Sequence, residues 1–280
     1  MLSLAWDFLE GLGLGIHRND ISSWSTPKWP DPFGNGILCG DGVGQSELMW
    51  YARSLPPIRT IFSKIWGTSE LATSFDGCCF WRAFEYQSAW KTHSARAYHL
   101  DQNGVTKPSK CCVQGFLNVL PAGPGDGGLV IVPRSHTTVY PQIFKNFKGR
   151  SDWIPLHNHR PLWEEMIPQA GLAPIKVCAE AGDFVVWDSR IIHCNGAGHV
   201  PREVPADQVL PPRRLVTYVC MTPKSRLRGE VVEERRRCYL NGDTTNHWPE
   251  DFVVGAARKN NNKDYKPIQL SQYCADLIPL

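Results

Sequence analysis

No run of apolar residues in this 280-residue chain is long enough to span a bilayer. That absence removes a helical membrane anchor from the expectations. The N-terminal "MLSLAWDFLEGLGLGI" lacks a basic start and carries Asp7 and Glu10 where a secretory signal would be uninterrupted. The closing "DLIPL" is not the peroxisomal S-K-L address. Charge of one sign is also missing. Thirty Lys and Arg stand against 27 Asp and Glu, for a formal +3, and no basic stripe of the kind that grips duplex nucleic acid stands out. There is no G-x-S-x-G, which disfavours a serine hydrolase elbow. Nor is there a C-x-x-C among ten cysteines; the adjacent pairs Cys78-Cys79 and Cys111-Cys112 would point to opposite faces of a strand, not into one zinc clamp. Free thiols in a reducing, cytoplasmic compartment are the expectation, with no nucleic acid and no membrane as partner.

No internal repeat and no linker divides the chain, so 1–280 reads as one domain at 42% apolar residues. Residues 1–12 fit a short amphipathic helix. The Pro-, Gly- and Asn-rich stretch that follows is expected to wrap the surface. Helical spacing resumes over 46–54 and 57–66, broken at Pro56-Pro57. Then the period changes: "ELATSF", "CCFWRAF", "ARAYHL", "KCCVQGFLNVLP", "GGLVIVP", "APIKVCA", "GDFVVWD" and "RRLVTYVCM" are short β-rich runs separated by turn residues. Seven or eight such strands predict a sandwich or barrel, with a long insertion at 135–172, a charged helix over 224–237 and a tail loop.

Three polar elements stand at strand ends: His99-Leu100-Asp101, His193 and Arg214. Residues i and i+2 share a strand face, so His99 and Asp101 can enter one cavity. Two imidazoles and a carboxylate leave positions open on a metal, the arrangement used for Fe(II) in oxygenases. Arg214 offers an always-charged fork for the distal carboxylate of a 2-oxoacid, on one face with Val216 and Tyr218, while Arg213 points the other way. Gln114, sharing a face with Cys112, Phe116 and Asn118, is a second cosubstrate candidate. Each residue also has a plainer explanation. "YHLDQNG" would serve as a strand running into a turn, and His193, Gln114 and Arg214 are individually compatible with a rim histidine, a solvated amide and a surface ion pair.

Taken in order, His-x-Asp, "GGLVIVPRSH" (127–136), "GDFVVWDSRIIHCN" (182–195) and "RRLVTYVCMTP" (213–223) resemble the phytanoyl-CoA dioxygenase-like Fe(II)/2-oxoglutarate oxygenases. With "IWGTSELATSFDG" (65–77), "HLDQ", "CVQGFLNVLP" and "TTNHWP" (244–249), the likeness is strongest to a largely fungal branch. The resemblance implies a mainly β fold with flanking helices: a double-stranded β-helix, the cupin-like jelly roll, with its core over about 70–225, a helical part at 1–69 and a C-terminal helix and tail over 224–280. It implies iron ligands at His99, Asp101 and His193, the 2-oxoglutarate arginine at Arg214, and O2 as co-reactant. It also implies oxidation of a C–H bond by hydroxylation, desaturation or ring closure. A carboxylate at Asp101 argues against halogenation. Arg134 stands where the family usually has glycine.

For the small-molecule substrate, the aromatics Trp81, Phe84, Tyr98, Phe116, Trp187 and Tyr218 would suit an apolar or mixed compound. Tyr98 and Trp187 are the nearest of these to the metal in sequence. Lys91, Arg96 or, by preference for its place close to His193 in "WDSRIIH", Arg190 would suit a carboxylate or phosphate. A specialised metabolite or an amino-acid-like molecule is the expectation. Two alternatives stay open: a metal-binding β-sandwich without 2-oxoglutarate, and a catalytically silent interaction module using the basic helix. His157 and His159 sit in a loop-like context and are read as surface.

Overall fold

A computed structural model describes residues 1–91, 97–263 and 265–278. Two five-stranded antiparallel sheets face each other. The first runs in the order β1 (Ile37–Leu38), β3 (Cys78–Trp81), β11 (Arg214–Tyr218), β5 (Val113–Asn118), β9 (Phe184–Asp188). The second runs β7 (Ile154–Pro155), β4 (His99–Leu100), β10 (His193–Gly196), β6 (Gly128–Ile131), β8 (Ile175–Lys176). A separate ribbon pairs β2 (Leu71–Thr73) with β12 (Met221–Pro223). This is the expected double-stranded β-helix sandwich.

Strand alternation sorts the side chains. Cys79, Trp81, Phe116, Trp187 and Val216 from the first sheet meet Leu129 and Ile131 from the second, and this layer is the sandwich interior. Cys78, Phe80 and Leu215 point outward, where Trp6 and Leu9 of α1 (Leu2–Gly11) and Leu48 and Met49 of α2 (Glu47–Ser54) cover them. Because both faces are covered, "CCFW" reads as an unbroken apolar run instead of an alternating one.

Local chemistry explains the helix limits. The Ser46 hydroxyl accepts from the Met49 amide to start α2. The Pro56-Pro57 break becomes the first turn of α3 (Pro56–Trp66), where a missing N–H costs nothing, and Gly67 ends that helix in the left-handed region.

The stretch expected to wrap the surface does more than that. Trp24 is fully buried against Trp6, Tyr86 and Trp90, and Trp29 packs on Phe80. The insertion carries α4 (Ser135–Thr138), α5 (Tyr140–Ile143) and α6 (Ile167–Gln169), and buries Tyr140, Ile154, Leu156 and Leu162 on the outer face of the second sheet beside Leu100 and Val132. His157 and His159 are exposed, as expected. The charged helix begins later than its charge pattern suggests. A 3-10 turn at Lys224–Arg226 comes first, and α7 spans Gly229–Asn241, because Pro223 and Gly229 punctuate the chain. A last short helix, α8 (Gln272–Ala275), follows. No helix among the described residues is long and apolar enough to cross a membrane.

Candidate metal centre

Strand pairing builds the centre. His99 on β4 and His193 on β10 are direct cross-strand partners, and their ring centroids lie 4.4 Å apart. Asp101 follows β4 by one residue. Its Oδ2 is 3.2 Å from His193 Nε2 and 3.6 Å from His99 Nε2. One ligand atom from each of the three lies within 4.8 Å of the others. This is a two-histidine, one-carboxylate set.

Each imidazole is oriented by its own backbone. His99 Nδ1 donates to the Ala97 carbonyl at 2.7 Å, and His193 Nδ1 to the Ile191 carbonyl at 2.9 Å. A carbonyl can only accept, so both rings carry a proton on Nδ1 and turn Nε2 toward Asp101. Burial alone would raise the Asp101 carboxyl, but the two histidines outweigh it and hold that carboxyl well below the ordinary range. His193 is pushed down by burial and by the charge of His99, whereas His99 is raised by Asp101 against its own burial. A metal cation held at Nε2 would take the place of a proton there, while the Nδ1 protons stay hydrogen-bonded to the carbonyls.

Gln114 lies beside the centre. Its Nε2 donates to Asp101 Oδ2 at 3.0 Å, and both groups are buried. It therefore orients the carboxylate of the three-residue set and does not face solvent. Tyr98 is also not at the centre. It precedes His99 on the strand, so it takes the opposite side and packs on Trp163 at 4.5 Å in the insertion's cluster. Arg190 binds Asp188 with both Nε (2.9 Å) and Nη2 (2.7 Å), a strand-end ion pair rather than an open anion receptor. Trp187 does reach the site: its ring is 5.5 Å from His193, and its buried Nε1 has no partner among the described residues. Of the other basic candidates, Lys91 lies over the Phe84 ring and Arg96 falls outside the described residues.

Arg214 stands at the other end of the same interior. It is 3% exposed, its guanidinium lies over Trp81 (5.5 Å) and Phe116 (5.1 Å), and its Nε has no hydrogen-bond partner among the described residues. No carboxylate among the described residues pairs with it. Its neighbour Arg213 faces the other way and is neutralised by Glu85 at 2.6 Å and Asp126 at 3.1 Å. Gly128 is essential to this end, because a Cβ there would sit 2.6 Å from Arg214 Nη1. At Gly127 a Cβ would fall 1.8 Å from the Trp81 ring.

Several contributors carry no signal that a single sequence reveals. Trp153, from the insertion, is 55% exposed with its ring 6.3 Å from His99, because β7 pairs with β4 and sets it at the rim. His247 acts electrostatically on Asp101, and its buried Nε2 lacks a partner among the described residues. The Ser135 hydroxyl accepts from the Ile192 amide, fixing the approach to His193.

No family model matches this chain. It is 29% identical over 260 residues to "Ava biosynthesis cluster protein O" of Aspergillus versicolor, covering 89% of this chain and 77% of that protein. Among solved structures, a putative oxidoreductase from Salmonella typhimurium LT2 superposes over 100% of this chain and 77% of its own, with a TM-score of 0.52 at 11% identity, a likeness of fold. The epimerase SnoN, solved with Fe3+, alpha ketoglutarate and nogalamycin RO, gives a TM-score of 0.41 at 15% identity over 65% of this chain. The match spans only 61% of the SnoN chain.

Proposed function

We propose that this chain is a non-haem Fe(II)/2-oxoglutarate-dependent oxygenase of the phytanoyl-CoA dioxygenase-like kind, acting on a small molecule of specialised metabolism. The observation that carries the proposal is the pairing of a three-ligand metal set with a buried, acid-free arginine at the far end of the same interior. The donors suit ferrous iron: two imidazole nitrogens and one carboxylate, with further coordination positions left to outside ligands. The far end suits a distal carboxylate. An arginine buried without an acid among the described residues is costly unless an anion completes it, and the absent side chain at Gly128 lets its fork lie against the β6 backbone.

Strand register supports the cosubstrate's length. Gly128 pairs with Gly196, three residues along β10 from His193. At about 3.3 Å per residue this is roughly 10 Å, a span suited to a five-carbon dicarboxylate held by a metal at one end and a guanidinium at the other.

Bound there, Fe(II) and 2-oxoglutarate supply O2-dependent oxidising power, with succinate and CO2 as co-products and a C–H bond of the substrate oxidised. The protein's residues do the positioning. His99, Asp101 and His193 hold the metal; the Ala97 and Ile191 carbonyls orient the imidazoles; Gln114 fixes the carboxylate. Trp81, Phe116, Trp187 and Val216 form the apolar interior between the two ends, a setting poor in water. Trp153 and Trp187 flank the metal and offer apolar surface to the substrate. The biosynthesis-cluster relative supports a specialised metabolite as the substrate class.

The test is anaerobic titration of purified protein with Fe(II) and then 2-oxoglutarate. A visible metal-to-ligand charge-transfer band is expected, absent in His99→Ala and lost or much weakened in Arg214→Ala. Succinate release then reports on a substrate screen. Iron bound without such a band in the folded wild type would refute the cosubstrate assignment and leave a metal-binding β-sandwich.

A further inference from the structure

Beside Arg214 lies a second cation that none of the preceding roles uses. Lys176, on β8, pairs with Val130 of β6, and its side chain returns over Gly128. The position a Gly128 Cβ would occupy is 2.6 Å from Arg214 Nη1 and 3.5 Å from Lys176 Nζ. Two positive groups thus approach each other beside Gly128, whose missing Cβ lets both side chains come close to the β6 backbone.

Neither is neutralised there. Lys176 Nζ donates to the Gly123 carbonyl at 2.9 Å, which leaves two of its three protons for other acceptors, and no ion pair to it occurs among the described residues. The nearest acid, Asp126, is committed to Arg213 at 3.1 Å and to the Gly123 amide at 2.9 Å. Burial, with the charges of Arg214 and Arg213 adding to it, pushes the Lys176 ammonium below its ordinary range against the pull of Cys178 and Asp126. Like charges held this close in a half-buried setting are unfavourable on their own and become favourable when an anion enters between them.

We infer that Lys176 is the second cationic contact for the distal carboxylate of the cosubstrate, closing on it from β8 while Arg214 receives it from β11. The inference rests on the oxygenase assignment above and adds a specificity determinant to it. A 2-oxoacid ending in a carboxylate gains from both cations, whereas one ending in a methyl group gains from neither and leaves two uncompensated charges behind.

The experiment compares 2-oxoglutarate with 2-oxopentanoate, which has the same chain length but no distal carboxylate. Both are titrated anaerobically into the Fe(II)-loaded protein, with dissociation constants taken from the charge-transfer band and from calorimetry. Lys176→Met is expected to weaken 2-oxoglutarate about tenfold, the share of one charge-assisted hydrogen bond, and to leave 2-oxopentanoate unchanged. Lys176→Arg should restore most of the affinity. Fe(II) affinity and thermal stability should match the wild type in both variants, since Lys176 is half-exposed and bonds the Gly123 carbonyl, not a metal ligand. Equal 2-oxoglutarate affinity in wild type and Lys176→Met, or equal weakening of both ligands, overturns the inference while leaving the oxygenase reading intact. Iron-loaded wild type that binds no 2-oxoglutarate overturns both.

Discussion

Replacing Gln114 with leucine separates two roles that the strand pattern alone leaves merged. In the structure its amide donates to Asp101 Oδ2 at 3.0 Å inside the protein. A hydrogen bond to a charged acceptor contributes about 1.5–3 kcal/mol. Removing the partner that orients a metal ligand typically costs about 10- to 100-fold in metal affinity, which at about 1.4 kcal/mol per tenfold is the same energy seen from the metal's side. Gln114→Leu should therefore raise the Fe(II) dissociation constant by one to two orders of magnitude, measured by anaerobic titration or with Mn(II) as a paramagnetic probe. The metal-free protein should lose only about 1.5 kcal/mol, the low end of that range, because both imidazoles still face the carboxylate. The 2-oxoglutarate affinity of a variant saturated with iron should be nearly unchanged. An unaltered Fe(II) constant together with weakened 2-oxoglutarate binding would refute this account and return Gln114 to the cosubstrate.

Three further outcomes follow from the same contacts. Glu85 bridges buried Arg213 and half-buried Arg202, and Glu85→Gln should cost about 2–3 kcal/mol at neutral pH by denaturant unfolding, less than for a fully orphaned charge because Asp126 still faces Arg213. Burial raises the Glu85 carboxyl, but the arginines win and depress it. Its contribution is therefore present above the unfolded value of about 4.3 and lost as pH falls through it toward the lower folded value, so the gap between variant and wild type should close in acid; a gap that persists or widens there would contradict the ion-pair account. Arg134 holds a left-handed φ of 66°, and Arg134→Gly should stabilise the protein by up to about 1 kcal/mol in thermal unfolding, with a loss showing that its side chain matters more than its backbone. Mn(II) at a hundredfold excess over its dissociation constant should add about 2.7 kcal/mol, roughly 5–10 °C in Tm, to the wild type and nothing to His99→Ala; equal shifts in both would place the metal elsewhere.

What could be read in the sequence was what alternation controls. His99 and Asp101 share a face, Arg214 and Arg213 do not, and the β-rich runs fall close to the strands that form. The same rule already separated Tyr98 from His99, so grouping Tyr98 with the metal went against the pattern. The contacts that depend on which strands become neighbours were not legible. Gln114 meets Asp101 only through the way β5 and the end of β4 are brought together, and Lys176 is a lone lysine in "APIKVCA" until β8 joins β6 opposite Arg214. The charge of Arg190 near His193 suggests an anion contact, yet its partner Asp188 is only two residues away. The composition of the Pro- and Gly-rich N-terminal stretch forbids long regular elements and so points to surface, but four tryptophan-centred contacts seat it in the core without any.

The run "GGLVIVPRSH" shows why composition and spacing stop short of the site while strand register completes it. Gly127 admits the Trp81 ring and Gly128 admits the Arg214 guanidinium, so each glycine is set by what approaches it from the opposite sheet. Further along β6, Ile131 pairs with His193, and beyond the Arg134 turn the Ser135 hydroxyl holds the Ile192 amide. One short segment thus touches the arginine end and the metal end, and the β6–β10 ladder fixes the distance between them. A slip of one residue in that ladder would turn His193 to the outer face and move Gly128 from beneath Arg214 at the same time. The separation of the two ends is therefore a property of strand pairing rather than of side-chain reach, and the length of the molecule that can bridge them is chosen by the fold before any single residue at the site makes contact with it.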